Sequence, residues 1–294
     1  MNILNNLFYY GLIVPVSRLP FPLLYGLSDF MYYAIYYGVG YRKKVVFKNI
    51  RNSFPERTNE EHITIAKKFY RHLCDLTLES LKAFTISEKE VYSRMILKNP
   101  EVIDHYFDQG RSVIIAGGHY NNWELFAVAI DSMVKHQTIA IYKPLTSKYF
   151  DEKMRQTRSK YGLQMISTKM VKQVFESEKN NLTATIFGID QSPPYTAKAH
   201  WMTFLNQDTR VLFGTEKYAK EFNYPILFAR INKEKRGYYT FEFLDSIDEP
   251  LQTKQGEITE KITRLLEKDI VDKPEFWLWS HKRWKHKLPA DGNR

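Results

Sequence analysis

A histidine and a glutamate five positions apart, His119 and Glu124, stand in the stretch SVIIAGGHYNNWELFAVAID, Ser112 to Asp131. A neutral imidazole can take a proton from a hydroxyl, and a carboxylate beside it can orient the ring and stabilise the imidazolium that forms. On one regular helix the two side chains would project about 140° apart, because each residue turns about 100°. The spacing therefore works for chemistry only if the chain bends between them, with His119 as the last loop residue and Glu124 in the first helical turns. The same residues also fit a histidine satisfied by a turn and a glutamate favoured near a helix N-terminus. The pair alone leaves both readings open.

The elements around the pair favour the bend. An apolar run, Val113 to Ala116, ends at Gly117-Gly118, and a helical pattern follows with Trp123, Phe126, Ala127 and Ile130 on one face. A strand that stops at two glycines delivers His119 to the edge where open α/β sheets bind ligands. The downstream pattern predicts a helix over 121–135, strand 138–142, helix 148–160, a short strand at 163–166, helix 168–178 and strand 182–187. A helix over 210–222 follows, then strands 226–231 and 238–244 as a hairpin and an amphipathic helix over 258–269. This alternation implies an α/β domain with a mostly parallel central sheet flanked by helices. In such a sheet the strand ends at Tyr142-Lys143-Pro144 and Gly188-Ile189-Asp190-Gln191 converge on the edge that carries His119. Arg155 and Arg158 ride on the helix between them.

Upstream, a helix beginning near Thr58 carries Ile65, Phe69, Leu73, Leu76 and Leu81 at mostly helical spacing, so Arg71 and His72 on it need no functional reading. No repeat or low-complexity linker divides the chain, so residues 1–55 are read as an N-terminal membrane-anchoring segment with a basic junction, leading into the α/β domain expected over 56–294. Met1 to Ser17 contains no charged side chain, yet Asn2, Asn5, Asn6, Pro15, Pro20 and Pro22 interrupt any long apolar window. A secretory signal is not expected, because the basic start and the small-residue cleavage site are missing. Phe8, Tyr9, Tyr10, Phe21, Tyr25, Phe30, Tyr32 and Tyr33 crowd here, and Arg42, Lys43, Lys44, Lys48 and Arg51 follow at once. Amphipathic aromatics followed by cations predict a helical segment in contact with an anionic membrane surface, the alternative being a tyrosine-rich core helix pair with a solvated basic loop.

The 294 residues carry a net charge of +10, which points to an anionic partner without choosing one. The positive charge is spread along the chain and no nucleic-acid motif occurs, so no nucleic acid is expected. Cys74 is the single cysteine, read as core packing in a reducing compartment. Without GxSxG, a glycine-rich phosphate loop, HExxH or cysteine zinc spacing, serine, nucleotide and zinc enzymes lose ground, and neither a metal nor a cofactor is expected.

His119-Tyr120-Asn121-Asn122-Trp123-Glu124 resembles the His-x4-acid motif of the glycerolipid and lysophospholipid acyltransferases. The chain as a whole resembles the bacterial late acyltransferases of lipid A biosynthesis. The likeness includes the apolar N-terminus, Lys48-Asn49-Ile50-Arg51-Asn52-Ser53-Phe54-Pro55, Tyr142-Lys143-Pro144, Asp190-Gln191 with Pro193, Gly214-Thr215-Glu216-Lys217 with Pro225, and the ending Trp277-Leu278-Trp279-Ser280-His281-Lys282-Arg283-Trp284. Where some members carry a second acid after the Asp190 position, this chain has Ser192.

The resemblance implies transfer of a fatty acyl group from an acyl thioester, usually on acyl carrier protein, to a hydroxyl of a lipid A precursor. The expected place is the cytoplasmic face of the bacterial inner membrane, with the chain peripheral or single-pass. His119 would be the general base, with Glu124 orienting it and Asp190 a second candidate for that task. Arg158 would lie near the oxyanion or the acceptor phosphate. Tyr142, Lys143, Asn122 and Gln191 are the implied substrate-binding residues. Lys282, Arg283, Lys285 and Lys287 would dock the acidic carrier, if they are not simply a solvated tail. The alternatives are the same chemistry on an aminolipid, lysophospholipid or glycolipid, and a non-catalytic basic membrane-binding protein.

Overall fold

The computed structural model describes residues 2–195 and 199–287. The N-terminal segment is helical: α1 (Asn2–Phe8) continues through a π-helical stretch into α2 (Val14–Arg18), and α3 (Phe21–Tyr33) runs on to Val39. The break at Leu19-Pro20 bends the chain by 117°, and among the described residues no single helix is long and apolar enough to cross a membrane. One side of this pair packs inward through Phe21, Leu24 and Tyr32. The other side leaves Ile3, Leu7, Leu23, Phe30 and Val39 more than 60% exposed.

Next come α4 (Lys43–Ser53) and the long α5 (Asn59–Lys82). Thr58 caps α5 by accepting from the Glu61 N–H while the Glu61 carboxylate accepts from the Thr58 N–H, so two otherwise unpaired backbone donors of the first turn are satisfied. Then follow α6 (Glu88–Arg94), β1 (Met95–Leu97), α7 (Pro100–Asp108), β2 (Val113–Gly117), α8 (Trp123–Ala129), β3 (Gln137–Tyr142), α9 (Lys148–Arg158), β4 (Gln164–Ser167), α10 (Val171–Ser177) and β5 (Thr183–Gly188). The chain closes with β6 (Ala199–Phe204), β7 (Gln207–Leu212), α11 (Gly214–Phe222), β8 (Ile226–Lys235), β9 (Tyr238–Ile247) and α12 (Glu257–Asp272).

Seven strands form the central sheet in the order β1-β9-β8-β2-β5-β3-β4. β8, β2, β5, β3 and β4 run parallel, and β9 joins antiparallel through its hairpin with β8. β2 is buried on both faces, which is why it reads as a continuous apolar run. Its side chains alternate between two cores: Ile114 and Ala116 belong with α12 residues Ile262 and Leu266, whereas Val113 and Ile115 belong with α8 residues Leu125 and Phe126. Helices therefore cover both faces, and the mostly parallel α/β architecture is established.

Four expected helices are shorter than the pattern suggested, α9 and α10 by a few residues at their ends and two others because neighbouring structure claims their residues. The one expected over 210–222 starts at Gly214, because Arg210 to Leu212 belong to β7, which pairs antiparallel with β6 in a separate two-stranded sheet. Leu205 and Asn206, both at positive φ (49° and 59°), make the tight hairpin turn between them. Leu-Asn is a weak turn signal, so the hairpin was hidden in the sequence. The helix expected over 121–135 is α8, beginning at Trp123 and ending at Ala129 before a 3₁₀ turn. Asp131 draws the chain out of the helix by accepting from the Thr138 N–H at 3.0 Å and its hydroxyl at 2.7 Å, which starts β3.

Candidate active site

β2 and β5 are register partners to their ends, Gly117 opposite Gly188, so the loops that follow them emerge side by side. The close approach depends on glycine. A Cβ on Gly118 would lie 2.6 Å from both Leu266 methyl carbons of α12, and one on Gly188 would lie 3.2 Å from Cε1 of the His119 ring.

His119 lies in the loop after β2, and its Nδ1 is 2.6 Å from Asp190 Oδ1. The His119 backbone N–H donates to Asp190 Oδ2 at 2.8 Å, and the Trp277 indole N–H donates to the same oxygen at 2.8 Å. Three donors thus surround a carboxylate whose side chain is 3% exposed. Burial alone would raise the Asp190 pKa, but the imidazole charge and these hydrogen bonds outweigh it and hold the carboxyl well below the usual range. For His119 burial disfavours the charged ring, while the Asp190 charge and hydrogen bond favour it more, and the net shift is upward. With Nδ1–H directed at Asp190, Nε2 is the free acceptor. That nitrogen faces the exposed Gln191, whose amide Nε2 donates to it at 3.1 Å. The ring packs edge-on against Trp123 at 5.2 Å between centroids.

Glu124 does not orient the histidine. It sits in the first turn of α8, as the spacing required, but its carboxylate turns to Arg158 at the end of α9 in a bidentate pair, Nε to Oε2 at 2.9 Å and Nη2 to Oε1 at 2.6 Å. The Trp123 indole N–H also donates to Oε1, at 3.2 Å. The expected His119–Glu124 contact gives way because Asp190 already occupies the inner nitrogen, while a guanidinium fork matches the geometry of a carboxylate. Glu124 still acts on the ring through its charge, one of the causes of the raised His119 pKa.

The remaining expected residues divide. The Tyr142 hydroxyl donates to Asp151 Oδ2 at 3.0 Å, and Asp151 Oδ1 accepts from the Leu145 N–H at 2.7 Å, which fixes the turn that presents the exposed Lys143. Asn122 is a correction: it is fully buried and cannot meet a substrate. Its Oδ1 caps α8 by accepting from the Leu125 N–H at 2.8 Å, and its Nδ2 donates to Glu79 Oε2 at 2.7 Å. Arg283 is a second correction. At 2% exposure it donates to the Arg210 carbonyl at 2.8 Å, so the surface cluster reduces to Lys282, Lys285 and Lys287.

Sequence reasoning missed what the C-terminal aromatic segment does. It pairs back on the loop after β2 through a Tyr120–Trp277 bridge and places the Trp277 indole on Asp190. His281 accepts from the Ser192 N–H at 3.1 Å, and burial pushes its pKa down to about 4, so it holds the Asp190 loop as a neutral ring. The density of Trp in the ending was the available signal, but no spacing rule says which carboxylate an indole will reach. Among the described residues, no group of three or more His, Cys, Asp or Glu is arranged to hold a metal ion.

A family model described as bacterial lipid A biosynthesis acyltransferase matches residues 3–286. Among solved structures, the chain is similar to the crystal structure of the 1-acyl-sn-glycerophosphate (LPA) acyltransferase PlsC from Thermotoga maritima. That match has 14% identity and a TM-score of 0.40, and covers 85% of this chain and 95% of that one. A search of curated proteins found no match.

Proposed function

Because the chain belongs to the bacterial lipid A biosynthesis acyltransferase family, and so transfers an acyl group to a lipid, we propose that it moves a fatty acyl chain from acyl carrier protein to a hydroxyl of a lipid A precursor, with His119 as the general base. The observation that carries this reading is the imidazole tied through Nδ1 to a buried carboxylate, with Nε2 directed outward.

The acceptor hydroxyl takes the place of the Gln191 amide at Nε2. Its proton passes to Nε2 as its oxygen attacks the thioester carbonyl, and Asp190 stabilises the imidazolium that forms. The resulting oxyanion collapses, the carbon–sulfur bond breaks, and Nε2 returns the proton to the departing thiolate. The products are an ester and a free thiol. Arg158, held by Glu124, is the cation available to the oxyanion or to an acceptor phosphate. Gln191 and Lys143 are exposed and able to meet the acceptor head group.

Support for a bilayer position comes from the apolar face of the N-terminal helices. Phe8 packs on Phe150 and Tyr9 on Tyr149, so this face borders α9, the helix that delivers Arg158. A lipid acceptor drawn from an anionic cytoplasmic leaflet would reach the site without leaving the membrane surface.

Mass spectrometry of lipids from a deletion strain tests the acceptor. Lipid A lacking one acyl chain is expected. Unaltered lipid A together with a deficit in an aminolipid, lysophospholipid or glycolipid would move the same chemistry to that acceptor.

A further inference from the structure

A cleft of about 640 Å³ opens beside the catalytic loop, between β8 and the second half of α12. Tyr120 and Asn121 line it, and Asn121 is two residues from His119, so the backbone separates them by no more than about 7 Å. The cleft lies on the sheet face covered by α12, whose Ile262 and Leu266 share a core with Tyr32 and Tyr36 of the N-terminal segment.

Its character is polar and cationic. Arg230 and Lys233 from β8, with Arg264, Lys268 and Lys273 from α12 and its end, face three carboxylates. Two of the carboxylates are engaged: Asp269 holds Arg230 at 2.6 Å, and Glu267 pairs with Arg264 while accepting from the Leu205 N–H. Lys268 and Lys273 are exposed and have no ion-pair partner among the described residues.

In an acyl transfer to a lipid the acceptor is greasy, whereas a thioester donor carries its acyl chain on an arm with an anionic phosphate, and a cationic cleft suits that phosphate. We propose that the α12 cleft binds the phosphate of the donor's pantetheine arm, with Lys268 and Lys273 as its principal cations, beside the loop that carries His119. This inference rests on the reading that the donor is a pantetheine thioester.

The test compares the wild type with a Lys268→Glu/Lys273→Glu variant on three donors: acyl carrier protein thioester, CoA thioester, and the phosphate-free N-acetylcysteamine thioester. The ratio of kcat/KM for each phosphate-bearing donor to that for the phosphate-free donor is expected to fall about tenfold or more, the scale of losing charge-assisted contacts. Equal falls for the carrier protein and CoA support recognition of the shared phosphate. A fall confined to the carrier protein overturns the arm site in favour of docking to the protein's acidic body, and unchanged ratios overturn it outright. If the wild type turns over no thioester, the donor reading fails separately. Equilibrium binding of CoA then decides the cleft: binding at least about tenfold weaker in the variant supports it, and equal binding removes it. A milder Lys268→Gln/Lys273→Gln variant gives the same comparison should the charge reversal misfold.

Discussion

His119 and Asp190 are 71 residues apart in the chain and 2.6 Å apart in the fold, Nδ1 to Oδ1. The pairing fixes which ring nitrogen carries the proton and which is free to accept one. It also makes Asp190, and not the nearer Glu124, the carboxylate bonded to the imidazole.

Asp190→Asn should therefore disable the enzyme nearly as fully as His119→Ala. An amide can present an N–H to Nδ1 and favour the wrong tautomer, and general-base catalysis is worth about 10²- to 10⁴-fold. Steady-state acyl transfer with purified variants checks this. A loss under about tenfold for Asp190→Asn would show that the buried carboxylate is structural.

The second prediction concerns pH. Burial lowers the His119 pKa, the Asp190 charge and hydrogen bond raise it further, and the net value lies above that of an ordinary imidazole. The base must be neutral, so kcat/KM should rise with pH through an inflection above about 6.5. Replacing Asp190 by Asn should move that inflection down. The sign for stability is opposite: a folded-state pKa above the unfolded one contributes stability that is fully present below about 6.5 and lost as pH rises through the shifted value. The wild type should thus give up this increment over the range where its activity grows, which thermal unfolding and activity profiles in matched buffers would reveal.

Arg158→Lys should reduce kcat by about 10²- to 10³-fold, the usual cost of removing one preorganised oxyanion donor. An ammonium keeps the charge but cannot make the paired bonds to Glu124. Glu124→Gln should show a comparable defect, because it releases the same guanidinium, and the double variant should be little worse than either single one. Additive losses in that cycle would mean that the two side chains act independently.

Asn122→Ala should lower stability without changing acceptor KM. It removes the cap of α8 and one donor to Glu79, which still accepts from the Tyr25 and Tyr239 hydroxyls. The cost is about 1–3 kcal/mol, a fall of several degrees in Tm. A raised acceptor KM at unchanged Tm would return Asn122 to the substrate.

The sequence determined the periodic and local features of this protein. β2 and its glycine stop, the helix that follows, the β8–β9 hairpin and the aromatic N-terminus carry their signals in adjacent residues, since strand and helix periodicities and glycine requirements are set within a few positions. The His-x4-Glu spacing also said correctly that the chain must bend between the two residues. It left open which carboxylate would reach the ring. That was decided by sheet order, which sets β5 beside β2 and brings Asp190 to Nδ1, and by α9, whose last residue claims Glu124. Tertiary packing likewise buried Asn122 and Arg283, two polar residues that look like surface groups in the sequence, and laid the Trp277 indole on Asp190. Contacts between residues tens of positions apart depend on how elements stack, and a side chain's partner is whichever group the folded layers bring within hydrogen-bonding distance.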